Sequence, residues 1–291
     1  MMKANSLAEI KPLQNAQFWL LAIAGGLIAT HLSLSWRHDS DLSHLSMSIL
    51  CWGAVLSLLW ERRRTLKLES DVFSSFLGVL LIAFVLVRTL LMSSFDTIFT
   101  LSPFIAAIGL ALVASGVKHL RQYWQELVII FALNIPVELF VDRITILAVY
   151  TAKFTTLLLS YLGIPFYSEG VNIILANGKA VEVAAGCSGW ETIFPLLKLS
   201  VLFIVLFPTG LVTKIFVPIV AFLIAFVVNG VRVTIMALLV GYSSREAFEY
   251  WHQGTGSQIF FLSATLLFGA FCYFVSRNKE DEQEPRELSK S

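Results

Sequence analysis

The chain has 291 residues, 57% of them hydrophobic and 14% charged, with a formal net charge of +1 and a mean hydropathy of +0.77. A soluble domain carries roughly 25% charged residues, so this composition excludes a soluble globular protein and predicts an all-α polytopic membrane protein. So small a net charge indicates neither an acidic nor a basic partner, and three cysteines, an odd number, exclude a complete disulfide framework.

A polar lead over residues 1–16 carries Lys3 and Lys11. The apolar run that follows starts near Phe18 and lacks a small-residue cleavage site, so it reads as a first span, Phe18 to Leu34, rather than a signal peptide. A polar loop, residues 35–46, precedes a short second span, Met47 to Trp60. Glu61-Arg-Arg-Arg-Thr-Leu-Lys67 is the most basic loop. Spans three and four run from Val72 to Met92 and from Ile98 to Val117, and Lys118-His-Leu-Arg121 follows. A fifth starts near Leu127 and meets Asn134-Ile-Pro136, where proline interrupts backbone hydrogen bonding. Residues 137–162 mix Glu138, Asp142, Arg143 and Lys153 with apolar residues. Charges cost ~2.5–3.5 kcal/mol each at the bilayer centre, and a span here would invert everything downstream and break the charge asymmetry, so this segment is expected to lie at the outer interface as an amphipathic helix rather than to span facing a bundle interior.

Val171-Asn-Ile-Ile-Leu175 and Ala180-Val-Glu-Val-Ala184 flank Asn177-Gly178, a pair favoured in two-residue hairpin turns, so a small β-hairpin is expected before Cys187. Gly163 to Gly170 reads as a turn. Spans six, seven and eight follow at Thr192 to Phe207, Ile215 to Val240 and Ile259 to Val275. Gly241 to Gly256 is a polar loop or helix start, and the tail from Arg277 is expected to be disordered. The sum is about eight transmembrane helices. The layout is a short cytoplasmic segment (1–16), a single transmembrane catalytic domain (17–276, core about 120–276) and a cytoplasmic charged tail (277–291).

Charge asymmetry orients this layout. With the N-terminus cytoplasmic, Lys3, Lys11, Arg62, Arg63, Arg64, Lys67, Lys118, Arg121, Lys214, Arg277, Lys279, Arg286 and Lys290 face the cytoplasm, as the positive-inside rule requires. The hairpin, Cys187, the end of span seven and His252 then face the periplasmic side of the inner membrane.

Three reactive residues fall at successive boundaries on that side. Cys187 sits in the small-residue turn Gly186-Cys-Ser-Gly189, where glycines permit uncommon backbone angles. Arg232 lies in the outer half of span seven, and an arginine in an apolar run is a functional candidate by default. His252 precedes span eight. Cys51 and Cys272 fall in apolar runs and read as small core residues. His31, His38, His44 and His119 make no zinc-ligand spacing, even with Asp39 and Asp41 in the second histidine pair's loop. No metal or cofactor is expected, and no phosphate loop or nucleic-acid motif is found.

Ala184-Ala-Gly-Cys-Ser-Gly189, Asn229-x-x-Arg232 and His252-x-Gly254, in that order with spans between them, resemble the three motif blocks of the exosortase/archaeosortase family. Leu162-Gly-Ile-Pro-Phe166, the hairpin and Val181-Glu-Val183 resemble that family's approach to its cysteine, and the match extends over residues 120–275. A histidine in the third block is similar to the bacterial branch. Trp190-Glu191 departs from the Leu-Arg-like pair common after Cys-Ser-Gly. The resemblance implies a membrane cysteine transpeptidase that acts on C-terminal sorting tails of exported proteins. Such a tail has a Pro-Glu-Pro-like motif, a transmembrane helix and basic residues, and its new C-terminus passes to a cell-surface acceptor. It implies Cys187, Arg232 and His252 as catalytic; Ser188, Gly189 and Asn229, within the motif blocks, and Glu182, an acid that could orient Arg232 or His252, are read as substrate-binding or supporting. Chemistry agrees: a thiolate gives a thioester that an acceptor can resolve, His252 can carry the proton, and arginine, too basic to act as a base, can hold an oxyanion or a substrate carboxylate. A transporter lined by Arg232 and Lys198, a non-catalytic assembly factor for polysaccharide export, and a hydrolase using water as acceptor remain the alternatives.

Overall fold

The computed structural model describes residues 16–38, 42–91, 97–252 and 254–288. The polar lead up to residue 15, Asp39 and Asp41 lie outside them, as do the side chains of His38 and His44. The chain falls into two compact units, Met1–Pro136 and Val137–Ser291.

The first unit holds α1 (Ala16–His38), α2 (Leu42–Arg62), α3 (Val72–Leu91), α4 (Thr97–His119) and α5 (Trp124–Leu133). Small residues let α3 and α4 meet closely: a Cβ on Gly78 would stand 2.5 Å from the Gly109 carbonyl oxygen, the kind of contact apolar helices use where lipid removes the hydrophobic driving force. Gly116 breaks α4 with φ 67°, and the chain turns into α5. Polar groups stitch that turn to the α2–α3 loop. Arg62 pairs with the buried Glu126, and Gln122 both accepts from the Lys67 amide and donates to its carbonyl, each at 3.1 Å.

The second unit holds α6 (Val141–Tyr161), β1 (Phe166–Glu169), β2 (Asn172–Leu175), β3 (Ala180–Glu182), α7 (Trp190–Leu206), α8 (Leu211–Tyr242), α9 (Arg245–His252) and α10 (Ser257–Leu288). Phe154 of α6 packs tilted against Phe226 of α8, ring centroids 5.5 Å apart, and fills the notch left by Gly230. Farther on, Leu158, Tyr161 and Leu162 line a groove with Val231, Ile235 and Leu238. Contacts that advance together along both helices mean that α6 and α8 run parallel. Ala221, Ala225 and Ala264 keep α7, α8 and α10 close around Leu196 and Phe268.

Among the described residues, five stretches are long and apolar enough to cross a membrane: Val72–Leu91, Thr97–Leu133, Asp142–Tyr161, Leu211–Tyr242 and Arg245–Arg277. The chain is an all-α multi-pass membrane protein with one small sheet. The third stretch corrects the expectation of an interfacial amphipathic helix. Asp142 sits in the first turn of α6 and Arg143 beside it, which leaves Lys153, exposed over the Tyr150 ring at 5.7 Å, as the one charge along the rest of the helix. Conversely, α5 has 10 residues, or about 15 Å, too short for a ~30 Å hydrocarbon layer by itself.

The hairpin is the second difference. Three strands form an antiparallel meander, β1-β2-β3, with Glu169 opposite Asn172 and Ile173 opposite Val181. Asn177-Gly178 does not make a two-residue type I′ turn, which needs positive φ at both residues, because no residue other than glycine has positive φ among the described residues. Instead Gly178 (φ 80°) donates to Leu175 O at 2.9 Å, a three-residue loop ending in a left-handed glycine. Asn177 Nδ2 is freed to donate to Gly241 O at 2.7 Å, tying the turn to the end of α8. Ile173, Leu175 and Val183 are buried against Ala148, Ala152 and Leu159 of α6 and Val233 and Ala237 of α8. Lastly, α10 continues to Leu288, so the tail is helical that far rather than disordered.

Candidate active site

After β3 the chain makes one short 3-10 turn, Ala185–Cys187, and Gly189 then caps α7 with φ 99°. A Cβ on Gly189 would stand 2.7 Å from Asn229 Nδ2, so glycine is required both by the left-handed angle and by the space Asn229 fills. From that space Asn229 Nδ2 donates to Cys187 O at 3.0 Å. Thr151 Oγ1, from α6, donates to the next carbonyl, Ser188 O, at 2.9 Å. Gly189→Ala is therefore expected to cut activity at least roughly tenfold, since it costs ~1–2 kcal/mol of backbone strain and also displaces Asn229. Cleavage assayed at equal membrane abundance checks this.

His252 closes α9, with its ring stacked on Phe248 at 4.9 Å and 17°. Its Nε2 lies 3.6 Å from Cys187 Sγ, within hydrogen-bond reach for sulfur. Arg232 Nη2, from α8, donates to the His252 carbonyl at 2.8 Å. The glycine after His252 is explained by the return of the chain: a Cβ on Gly254 would meet Tyr250 O at 2.6 Å, and its amide closes on Glu249 O at 3.1 Å. Cys187, Arg232 and His252 thus converge, each from a different element. Asn229, Ser188 and Gly189 join them, and Ser188 is fully buried. Glu182 does not. It lies on β3 on the face opposite the inward Val183, exposed, and among the described residues no hydrogen bond or ion pair links it to Arg232 or His252. Thr151 and Phe248 were not singled out in the sequence.

The electrostatics keep the pair neutral. Burial pushes the Cys187 thiol above its ordinary value; Arg232 acts against that shift, and Glu191 adds to it. The polar α9 stands ahead of the apolar run of α10, and there burial, with Arg232 second, holds His252 below the ordinary histidine value. The resting state at neutral pH is thiol beside imidazole, the state in which His252 can accept a proton. Arg232 has no carboxylate partner among the described residues, and its Nε is buried without an acceptor, as is Asn229 Oδ1 without a donor. A guanidinium left with an open donor near a thiol–imidazole pair suits an anion. Among the described residues no three His, Cys, Asp or Glu side chains gather to hold a metal ion.

The sequence model of a family described as transmembrane exosortase (Exosortase_EpsH) matches residues 36–269. The chain belongs to the transmembrane exosortase family. No curated protein and no solved structure matches it. Family membership points to a membrane transpeptidase-type function. Cys187, Arg232 and His252 all fall inside the stretch of this exosortase that carries the match.

Proposed function

We propose that this exosortase is a cysteine transpeptidase of the inner membrane, which cleaves a C-terminal sorting tail on exported proteins and passes the new C-terminus to a surface acceptor. The observation that carries the reading is the 3.6 Å approach of Cys187 Sγ to His252 Nε2, with the Nε of the guanidinium that anchors His252 unpartnered among the described residues. In the proposed reaction the thiol gives its proton to His252 Nε2 as Sγ bonds to the scissile carbonyl carbon. Arg232 receives the developing oxyanion, or a substrate carboxylate beside it. The C–N bond then breaks, the imidazolium protonates the leaving amine, and a thioester remains. An acceptor amine resolves the thioester, returning the proton to the thiol. The cytoplasmic excess of lysine and arginine supports a site facing the periplasm.

Co-expression with a tailed substrate tests the reading: a size shift is expected with wild type and none with Cys187→Ala, and mass spectrometry of the product's C-terminus distinguishes an added acceptor from free acid. An unshifted substrate with wild type overturns it. The pH profile gives an independent check. Because His252 titrates below the ordinary value of ~6.5 and Cys187 above ~8.5, kcat/KM should rise through an apparent pKa below 6.5 and stay level beyond pH 8. A bell centred between those values would instead indicate a thiolate–imidazolium resting pair.

A further inference from the structure

We propose that Thr151 of α6 is a positioning residue for the Cys187 nucleophile. The inference rests on the proposed function only in taking Cys187 as the nucleophile. The backbone around the thiol is held almost completely. The Cys187 amide donates to Ala184 O at 2.9 Å and the Ser188 amide to Ala185 O at 3.1 Å, and Gly189 O accepts from Thr192 and Ile193 at 3.0 and 2.9 Å. These bonds are local and would form in any short turn leading into a helix. The two carbonyls between them, on Cys187 and Ser188, are held by side chains from elsewhere. Asn229 of α8 takes the first at 3.0 Å and Thr151 of α6 takes the second at 2.9 Å.

A trans peptide is planar, and no cis bond occurs among the described residues, so a fixed carbonyl fixes the whole plane. Asn229 sets the plane joining Cys187 to Ser188, and Thr151 sets the plane joining Ser188 to Gly189. The first plane borders the Cys187 α-carbon that carries Sγ, and the second steadies the first through the α-carbon of Ser188 that the two planes share. The thiol has little slack, since its contact to His252 Nε2 is already 3.6 Å. Thr151 is 0% exposed and so is Ser188, so no water can replace the lost donor. Its own proton is committed to Ser188 O, which leaves the hydroxyl no part in proton transfer; it acts through the nucleophile's backbone. α6 thereby becomes part of the catalytic machinery rather than a passive span.

The test compares Thr151→Val, which keeps the branched shape and deletes the donor, with Thr151→Ser, which keeps the donor. Two readouts are taken on the full chain: kcat and KM for tail cleavage, and the rate at which iodoacetamide labels Cys187, followed by mass spectrometry of its peptide. Thr151→Val should lose roughly 10- to 100-fold in kcat and in labelling rate with KM nearly unchanged, as misplacement of a reacting atom does, while Thr151→Ser stays within a few-fold of wild type. Wild-type labelling and cleavage by Thr151→Val would overturn the proposal, and so would equal impairment of both variants. Failure of both to accumulate in the membrane would overturn it too, since the residue would then serve the fold alone. If wild type labels at Cys187 but cleaves no tail, the transpeptidase reading fails, and the labelling comparison still decides Thr151.

Discussion

Replacing Cys187 with serine is expected to lower cleavage of a tailed substrate by at least about 10³-fold, as loss of a nucleophile does in hydrolases that use one. The exchange looks conservative, but the geometry says otherwise. The thiol meets His252 Nε2 at 3.6 Å, a distance set by the long C–S bond and the size of sulfur. A C–O bond is shorter, so a serine oxygen stands farther away, outside the ~2.6–3.2 Å at which a base takes a hydroxyl proton. Nor can the loop move up to compensate, because Asn229 and Thr151 hold the carbonyls on either side of Ser188's α-carbon. The electrostatics point the same way. Burial already disfavours the anion at this position, and a hydroxyl is far less acidic than a thiol, so His252 would have to do more work from a worse position. Cys187→Ala should match the serine variant. The measurement is the substrate's size shift on a blot, normalised to enzyme in the membrane fraction. A wild-type shift in both variants would remove Cys187 from the mechanism and return the non-catalytic readings to the front.

The membrane class, and the candidate residues that converge in the fold, were legible because both depend on composition against a uniform background. In a chain this apolar, an arginine between Val231 and Val233 or a cysteine between glycines stands out, and the order of the three blocks carries the rest. The hairpin was legible from Asn177-Gly178, but its turn type was not. Two-residue and three-residue loops use the same dipeptide, and the choice was made by Asn177's bond to Gly241 O, a contact 64 residues away. β1 was hidden because four residues between Pro165 and Gly170 are too few to show an alternation. α6 was misread because Asp142 and Arg143 fall in its first turn and need not stand at the bilayer centre, which leaves Lys153 as the one charge along the rest of its length. That misreading also hid Thr151. A threonine in an interfacial helix has no partner to suggest; one facing the cysteine turn from a helix packed along α8 does. Glu182 was chosen for its charge and nearness in sequence, and the two-residue period of β3 turned it away.

Replacing Arg232 with lysine is expected to lower kcat by about 10²–10³-fold, corresponding to ~2.7–4 kcal/mol of lost transition-state stabilisation. Charge is preserved in this variant, so the loss isolates geometry. Arg232 has two donors to place: Nη2 donates to the His252 carbonyl at 2.8 Å, and Nε is buried with no acceptor among the described residues. A lysine has one ammonium on a flexible stem and cannot do both. If it keeps His252 in place, the oxyanion loses its donor; if it turns to the oxyanion, His252 loses its anchor. The split between kcat and KM tells which substrate group the arginine holds. A fall in kcat alone means the oxyanion, whereas a rise in KM with kcat kept means a ground-state carboxylate. A second variant separates charge from shape. Arg232 helps hold His252 below its ordinary pKa, so Arg232→Gln should move the acid limb of kcat/KM to higher pH, whereas Arg232→Lys should leave it nearly where wild type has it. Processing at the wild-type rate by Arg232→Lys would sink the oxyanion role, and an acid limb unmoved in Arg232→Gln would show that the guanidinium does not govern the base.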